Sequence, residues 1–300
     1  MSSPKTDPPQ TDRLARYIAR SGLASRRAAE RLVREGAATV NGTIERDPTT
    51  EIDLRSDLVR FQGRKVEGRR ETIYYLLYKP RGTITSRDDP QGRPGVHDLL
   101  PKLGDRVESV GRLDFNTEGA LLFTNDGDLA HRLTHPSYHI PRRYHAKVYR
   151  TPTEATLDKI RKGIRLDDGR TVPAMCRVLE ATDTGNAWVE ITVYEGRHHL
   201  IRRIFAALGH PVSKLRRESF ATVSIRGMER GQARVLTPTE LDRLRQLTAE
   251  KGDTNRLRSS GGRKKGWAKP AADRDKGKPL SKAKQRQQRS KGRGKRTRRS

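Results

Sequence analysis

The stretch from Gly111 to Gly127 places the strongest constraint on how this chain can fold. Ala120–Phe123 is an uninterrupted apolar run, which is typical of a strand buried inside a sheet. Residues 125–127 follow it with Asn-Asp-Gly and predict a turn. Just before the run lies a polar loop in which Asp114 stands two residues after Arg112. We therefore predict a buried strand whose leading loop presents a carboxylate beside a cation.

Strand and helix patterns mix irregularly through most of the chain. Residues 144–149 and 187–193 have the composition and alternation of strands with one buried face. Residues 200–208 predict a helix that Gly209 ends, and the Thr-Pro-Thr-Glu of residues 237–240 is a capping box that opens another. Because no regular strand–helix–strand repeat appears, we predict an α+β fold with a mixed, mainly antiparallel sheet and flanking helices.

Residues 11–61 predict a small separate module with two short helices and a hairpin around Asn41-Gly42. Ser25 is a suitable N-cap for the second helix. Basic residues on the outer face of a helix are suited to phosphate contacts, although a solvated charged face is the alternative interpretation. The candidate RNA-binding residues of this helix are Arg26, Arg27 and Arg31.

Composition divides the rest of the chain into segments. Residues 62–71 are polar, contain two glycines and predict a linker, after which a second domain spans residues 72–250. Residues 1–10 predict a disordered lead. Residues 251–300 hold 20 Lys and Arg against 3 Asp, and we predict a disordered basic tail because this segment cannot bury enough apolar surface to offset its ordering entropy.

The charge balance and the apolar pattern limit the possible partners. The formal net charge is +28 at pH 7, which favours a nucleic acid as partner. The single cysteine, Cys176, excludes an internal disulfide framework and a multi-cysteine metal site. No apolar run reaches the roughly 20 residues of a membrane span, and no hydrophobic signal core opens the chain. We predict a cytoplasmic protein with no membrane partner.

Two long motifs resemble known families. The run from Gly111 to Gly127, opening with Gly-Arg-Leu-Asp, resembles the signature of bacterial RNA pseudouridine synthases that act on small-subunit or large-subunit rRNA. Residues 22–42 contain Gly-Leu-Ala-Ser-Arg-Arg, Glu-Gly and Val-Asn-Gly in order, and resemble the S4 RNA-binding domain. Together the resemblances cover about residues 12–248. They imply an S4 module that docks on rRNA and a domain that isomerises one uridine.

The resemblance implies three catalytic residues. Asp114 matches the catalytic carboxylate, and Arg202 matches the cation that pairs with it. Tyr144 matches the ring that stacks on a base flipped out of its helix. Taken alone, a loop Asp is usually a turn former, a strand Tyr is usually core, and either arginine of the Arg202–Arg203 pair could be a phosphate contact or a surface charge. Leu200 departs from the family pattern, which usually has Gln there, so a polar contact is either lost or supplied by His198 or His199.

Three further residues are implied to contact RNA or brace the site. Lys79, in a Lys-Pro-Arg-Gly turn, braces the site or meets RNA, although an ordinary basic turn is also possible. Arg112 is implied to orient the flipped nucleotide, and Arg216 to contact the RNA backbone. Isomerisation requires no metal or redox cofactor, and we predict neither. His131, His135 and His139 recur every four residues, but a proline interrupts them and no carboxylate or cysteine completes a metal site.

The predicted function is that of a monomeric rRNA pseudouridine synthase. The long basic tail favours the large-subunit (23S) synthase B subgroup, with 23S rRNA or a large-subunit assembly intermediate as partner. The small-subunit (16S) enzyme is the second choice. A non-catalytic rRNA-binding assembly factor is the alternative from another functional class, and Leu200 is the feature in its favour.

Overall fold

The computed structural model describes residues 11–67, 72–86, 89–101 and 107–249. The predicted lead (1–10), the predicted tail (251–300) and the last part of the predicted linker lie outside the described residues. Within the described ranges, no helix combines the length and apolarity needed to cross a bilayer.

The N-terminal module packs two helices against short strands. Its core includes Leu14 and Ile18 of the first helix, Val33 of the second, and Phe61 of a strand. The side chain of Ser25 accepts a hydrogen bond from the first turn of the second helix, which confirms the predicted cap. The elements are β1 (Thr11–Arg13), α1 (Leu14–Arg20), α2 (Arg26–Arg34), β2 (Ala38–Val40), β3 (Thr43–Glu45), β4 (Glu51–Asp53), β5 (Val59–Phe61) and β6 (Arg64–Lys65).

This module extends further along the chain than the sequence predicts. Gln62 and Gly63 both have positive φ angles and form a tight turn that pairs β6 with β5. Val66 then returns to the core, where its N–H donates to the carbonyl of Val59 at 2.9 Å and its side chain is buried. Residues 64–66, predicted as linker, therefore belong to the module, because the hairpin register carries one apolar side chain back inside.

The second domain is built on one large sheet. Its strands run in the order β13-β14-β10-β15-β9-β7-β17, with β16 attached to β15 and β8 to β9. The β15–β9 pair is parallel, whereas the other neighbours are antiparallel. This mixed, mainly antiparallel sheet with helices confirms the predicted α+β class. The elements are β7 (Tyr74–Lys79), β8 (Glu108–Ser109), β9 (Thr117–Thr124), α3 (Gly127–Thr134), β10 (Arg142–Val148), α4 (Glu154–Lys162), β11 (Arg165–Leu166), β12 (Gly169–Arg170), β13 (Met175–Ala181), β14 (Ala187–Val193), α5 (Leu200–Ala207), β15 (Val212–Phe220), β16 (Val223–Ser224), β17 (Ala233–Val235) and α6 (Pro238–Leu247).

Helices cover both faces of this sheet. On one face, α4 and α5 contribute Leu157 and Phe205 to a core that includes Leu77. On the other, α3 and α6 contribute to a second core that includes Leu76. Adjacent residues of β7 thus enter opposite cores, as expected for a strand with two buried faces. The arrangement explains why the strands β7 and β9 read as continuous apolar runs.

The parallel contact between β9 and β15 depends on Gly119. Its φ angle is 123°, and a Cβ placed there would lie 2.2 Å from the main-chain oxygen of Arg217. No side chain can occupy that space without separating the two strands, and L-residues other than glycine rarely adopt this φ. The glycine therefore allows the strand behind the Asp114 loop to approach Arg217 closely.

We expect Gly119→Ala to destabilise the protein by about 3 kcal/mol, combining overpacking with backbone strain. For a domain of this size, the melting temperature should fall by roughly 10 °C. Gly127→Ala is the matched control, because nothing lies within 4 Å of a Cβ at that position and its φ is not in the left-handed region. Thermal unfolding that gave both variants the melting temperature of the unaltered protein would contradict the proposed close approach.

Candidate active site

A cleft of about 310 Å³ opens where the loop before β9, the strands β10 and β15, and the turn before α5 meet. A volume near 300 Å³ is at the lower end for small-molecule sites and suits a ligand the size of one nucleotide base. Arginines outnumber acids in its lining, which favours an anionic ligand such as a phosphate group. The charged lining residues are Arg112, Arg142, Arg197, Arg217, Asp114 and Glu195.

Asp114 lies on the wall of this cleft, in a loop that is held from behind. Leu113 anchors the loop in the core, and the main-chain carbonyl of Asp114 accepts from the N–H of Thr117 at 3.0 Å and from Lys79 Nζ at 3.1 Å. The carboxylate itself remains 37% exposed. The backbone is therefore fixed while the side chain stays available to a ligand.

Lys79 lies inside the protein, and this corrects its assignment as an RNA contact. It has no exposed surface, and Nζ donates to the carbonyls of Pro80 at 3.0 Å, Asp114 at 3.1 Å and Thr117 at 2.9 Å. Burial lowers the pKa of Lys79 to about 8, although the charge of Asp114 acts in the opposite direction. The side chain braces the Asp114 loop, because a fully buried ammonium cannot reach an RNA phosphate.

His199 is the basic side chain that faces the Asp114 carboxylate. Its Nε2 lies 3.6 Å from Asp114 Oδ2, so the two form an ion pair when the imidazole is protonated. His199 occupies the N-cap position of α5 with a left-handed φ of 51°, and its ring stacks on that of His198 with centroids 3.7 Å apart. The sequence motif named this histidine only as a possible replacement for a lost polar contact.

Arg202 does not reach Asp114, which corrects the predicted pair. Its Nη1 donates to the carbonyl of Val212 at 3.1 Å. Leu200 and Ile201, at the start of α5, line the cleft and are buried. Arg202 lies about 100° further round the helix than Ile201, so its side chain leaves in another direction. Alignment of the motif could not predict the direction of the Arg202 side chain, because that direction depends on the residue at which α5 begins.

The neighbouring Arg203 is also directed away from Asp114. It forms ion pairs with Asp167 and Asp168, which lie in the turn between β11 and β12. Arg197 joins the same turn through Asp168, with Nη1 2.6 Å from Oδ1. These contacts tie the segment before α5 to the β11–β12 hairpin and thereby fix the wall of the cleft that carries His199.

Tyr144 belongs both to the core and to the cleft. It lies on β10, is 8% exposed, packs in the core with Leu215 and lines the cleft. On the sheet it stands opposite Ile191 of β14 and Arg217 of β15. Tyr144 is therefore a core residue that also lines the cleft, and its stacking on a flipped base stays a prediction.

The cleft arginine of β15 is Arg217, whereas the sequence assignment is Arg216. Leu215 and Arg217 lie on the cleft side, and Arg216 projects to the opposite face, where it forms an ion pair with Glu218. Strand alternation requires this, because successive side chains point to opposite faces. The sequence could have indicated Arg217: because Leu215 is apolar and faces the core, the side chain two positions later lies on the same face of the strand.

Among the described residues, three buried polar atoms of the cleft lining have no hydrogen-bond partner: Arg197 Nε, Arg217 Nη2 and Thr117 Oγ1. Of these, Arg197 Nε still lies 3.1 Å from the Glu195 carboxylate. Arg217 is 3% exposed; its Nε donates to the carbonyl of Ala120 at 2.7 Å, and its guanidinium lies 4.8 Å from the ring centroid of Phe220. Buried polar groups are nearly always satisfied, so Arg217 Nη2 and Thr117 Oγ1 are free to bind a ligand or an ordered water in the cleft.

The remaining predicted RNA contacts are exposed. Arg112 lines the cleft from the Asp114 loop. The three arginines of α2 that were predicted to bind RNA lie outside the cleft, and two of them form exposed ion pairs with Glu30 and Glu35. Such surface pairs contribute little free energy and leave the guanidiniums available to phosphates. These arginines are Arg26, Arg27 and Arg31.

Both domains of the chain are similar to known protein families. Residues 73–207 match the family described as RNA pseudouridylate synthase, and residues 12–59 match the S4 domain. Ribosomal large subunit pseudouridine synthase B of Bacillus subtilis (strain 168) is 44% identical over 240 residues, covering 79% of this chain and 96% of that protein. This chain belongs to the RNA pseudouridylate synthase family.

Further relatives support membership of the RNA pseudouridylate synthase family. Ribosomal large subunit pseudouridine synthase B of Pasteurella multocida (strain Pm70) is 37% identical over 245 residues, covering 79% of this chain and 70% of that protein. A crystal structure described as pseudouridylate synthase is 31% identical, with a TM-score of 0.56, and covers 77% of this chain and 99% of that chain. The protein is thus an RNA pseudouridine synthase, an isomerase, with an S4 domain followed by a mixed-sheet catalytic fold.

Proposed function

We propose that this synthase isomerises a uridine of large-subunit (23S) ribosomal RNA, with Asp114 as the reacting carboxylate. The observation that carries the assignment is the accessible Asp114 carboxylate, in a cleft where Thr117 Oγ1 and Arg217 Nη2 have no hydrogen-bond partner among the described residues. The names of the two relatives support the choice of rRNA and of the large subunit. The net charge of +28 supports a polyanionic substrate.

The reaction breaks the bond between C1′ of the ribose and N1 of uracil, turns the base, and joins C1′ to C5. The proton on C5 leaves and N1 gains one, so substrate and product have the same atoms. Attack at C1′, addition at C6 and removal of a sugar proton are three first steps open to one carboxylate, and each needs Asp114 ionised. His199, 3.6 Å away, stabilises that charge when protonated.

The other cleft residues hold the nucleotide. The uridine must leave its stack to reach Asp114, and the ring of Tyr144 offers a surface on which the flipped base stacks. Arg217 Nη2 and Thr117 Oγ1 are donors without partners among the described residues, and we assign them to base or phosphate oxygens. Arg112, exposed at the rim, is suited to the neighbouring phosphate.

The substrate assignment is tested with purified protein and separate 23S and 16S rRNA transcripts, followed by mapping of pseudouridines. We expect one modified position in 23S rRNA and none in 16S rRNA. Modification of 16S rRNA alone would overturn the subunit assignment while leaving the chemistry in place. Should neither transcript react, large-subunit assembly intermediates are the next substrate, and inactivity on these would contradict the proposal.

Paired substitutions in β15 test the role of Arg217. Arg217→Gln should lower kcat/KM by about 10- to 100-fold, the effect of losing one charged hydrogen bond of roughly 1.5–3 kcal/mol. Arg216→Gln is the matched control on the opposite face of the same strand, and we expect a change below about threefold. Circular dichroism of both variants checks folding. A larger loss for Arg216→Gln than for Arg217→Gln would favour the original sequence assignment.

A further inference from the structure

The cleft brings together three potential metal ligands that the sequence did not connect. Asp114, His198 and His199 each offer one ligand atom, and these atoms all lie within 4.8 Å of one another. Two imidazoles and one carboxylate form a ligand set typical of divalent transition metals such as Zn²⁺, Co²⁺ and Ni²⁺. The sequence analysis had considered only the histidines of α3 and its C-terminal side, and predicted no metal site.

We propose that Asp114, His198 and His199 bind one divalent transition-metal ion, and that this ion inhibits the enzyme. The ion is not a cofactor, because isomerisation of uridine requires none. The bound ion would occupy the Asp114 carboxylate, which is needed for reaction with the uridine. Metal binding is independent of the proposed function, whereas inhibition rests on Asp114 having the role assigned above.

To bind one ion, the ligand atoms must move closer than the 4.8 Å within which they now lie, and the stacked histidine rings must turn apart. Zn–N and Zn–O bonds of about 2.0–2.1 Å place neighbouring ligand atoms of a tetrahedral ion roughly 3.3 Å apart. His199 Nε2 and Asp114 Oδ2 are already 3.6 Å apart. Both histidines are exposed, so their rings can turn without disturbing the core. The backbone on each side is held, by Lys79 behind Asp114 and by the N-terminal end of α5 at His199.

The three-ligand arrangement leaves a coordination position open towards the cleft. Three protein ligands plus one exchangeable position is the usual pattern of an accessible zinc site, in contrast to a closed structural site with four. Bound metal would therefore exchange with the solvent, and chelators would restore the free carboxylate. Reversible inhibition is the expected behaviour.

A second histidine pair provides a built-in comparison. His131 and His135 lie four residues apart at the end of α3, with ring centroids 5.1 Å apart. His135 Nδ1 is 2.8 Å from Ser137 Oγ, which occupies one of its nitrogens. In the described ranges this pair lacks a third ligand within the same distance limit. We expect it to bind metal much more weakly than the cleft site.

The binding test uses the full chain, titrated with Zn²⁺ by calorimetry and with Co²⁺ by visible absorption. We expect one tight ion per chain. His198→Phe keeps a ring in the stack but removes the ligand nitrogen, and should weaken Zn²⁺ binding at least tenfold. Asp114→Asn should do the same, whereas His131→Asn should leave the tight ion in place. Loss of that ion in His131→Asn, or unchanged binding in both cleft variants, would overturn the proposed site.

A second measurement separates the metal site from the proposed function. Pseudouridine formation is followed at increasing Zn²⁺, and half-inhibition should occur near the dissociation constant found by calorimetry. In His198→Phe, whatever its own turnover, the Zn²⁺ concentration for half-inhibition should rise at least tenfold, and a chelator should restore the unaltered enzyme. Tight binding without inhibition would sustain the metal site but contradict the assigned role of Asp114.

Discussion

Replacing Asp114 with Asn should reduce pseudouridine formation by at least about 10⁴-fold, because an amide of nearly the same size can neither attack nor accept a proton as the carboxylate does. Affinity for rRNA should change little, since the loop is held by the main-chain carbonyl of Asp114 and by Lys79 rather than by the carboxylate. Single-turnover assays with saturating RNA, together with a binding titration, measure the two effects separately.

Glu118→Gln is the matched control for Asp114→Asn. Glu118 lies four residues further along, on β9, and its Oε2 is 3.0 Å from Arg230 Nε, outside the cleft. We expect its turnover to stay within about threefold of the unaltered enzyme. If Asp114→Asn turned over at a comparable rate, the carboxylate would have no chemical role, and a non-catalytic rRNA-binding function in ribosome assembly would regain support.

Lys79→Met should lower kcat about 100-fold without removing any group that touches the substrate. Methionine fills a similar volume but donates no hydrogen bond, so the loop that carries Asp114 loses its brace. Displacing a reacting group by about 1 Å is enough for an effect of this size. Lys214→Met is the control, because that lysine is exposed on β15. Equal turnover in the two variants would contradict the bracing role.

The same lysine predicts a pH dependence. Because burial lowers the pKa of Lys79 to about 8, its ammonium loses a proton as the pH rises through 8, and the brace weakens. In the unfolded chain the group stays protonated to its usual value of 10.5. Between about pH 8 and 10.5 the unfolded state binds more protons, so this group's contribution to stability becomes more favourable as the pH rises.

Above about pH 8, deprotonation of Lys79 should therefore lower activity, whereas the contribution of Lys79 to stability should become more favourable. The kcat of the unaltered enzyme should decline above about pH 8, and the profile of Lys79→Met should lack that decline. Thermal melts at the same pH values check that unfolding is not the cause. An alkaline decline of the same position and size in both proteins would assign it to another group.

Local structure followed closely from the sequence. The cap at Ser25, the turn at Asn41-Gly42 and the capping box at Thr237 all appear where the pattern predicts them. The strand over residues 187–193 has the predicted bounds. Each of these features depends on side chains within a few residues of the backbone groups they satisfy, so short-range patterns are sufficient to identify them.

The cleft shows where short-range patterns stop being sufficient. A motif gives the order of residues along the chain, but it does not give the direction in which a helix or strand points their side chains. Arg202 and Arg216 are the residues that the sequence assigned, yet the start of α5 at Leu200 and the alternation of β15 direct both away from Asp114. His199 and Arg217, their immediate or near neighbours, face the cleft in their place.

By itself, the sequence determined the α+β class and the loop that carries Asp114, because caps, turns and apolar periodicity depend on neighbouring residues. The two RNA-related domains followed from the resemblance of long motifs to known families. Only the tertiary structure decided that His199 faces that carboxylate, that Lys79 is buried, and that Thr117 Oγ1 and Arg217 Nη2 have no hydrogen-bond partner among the described residues. These properties arise from distances between segments up to about a hundred residues apart, and strand pairing across the sheet sets those distances.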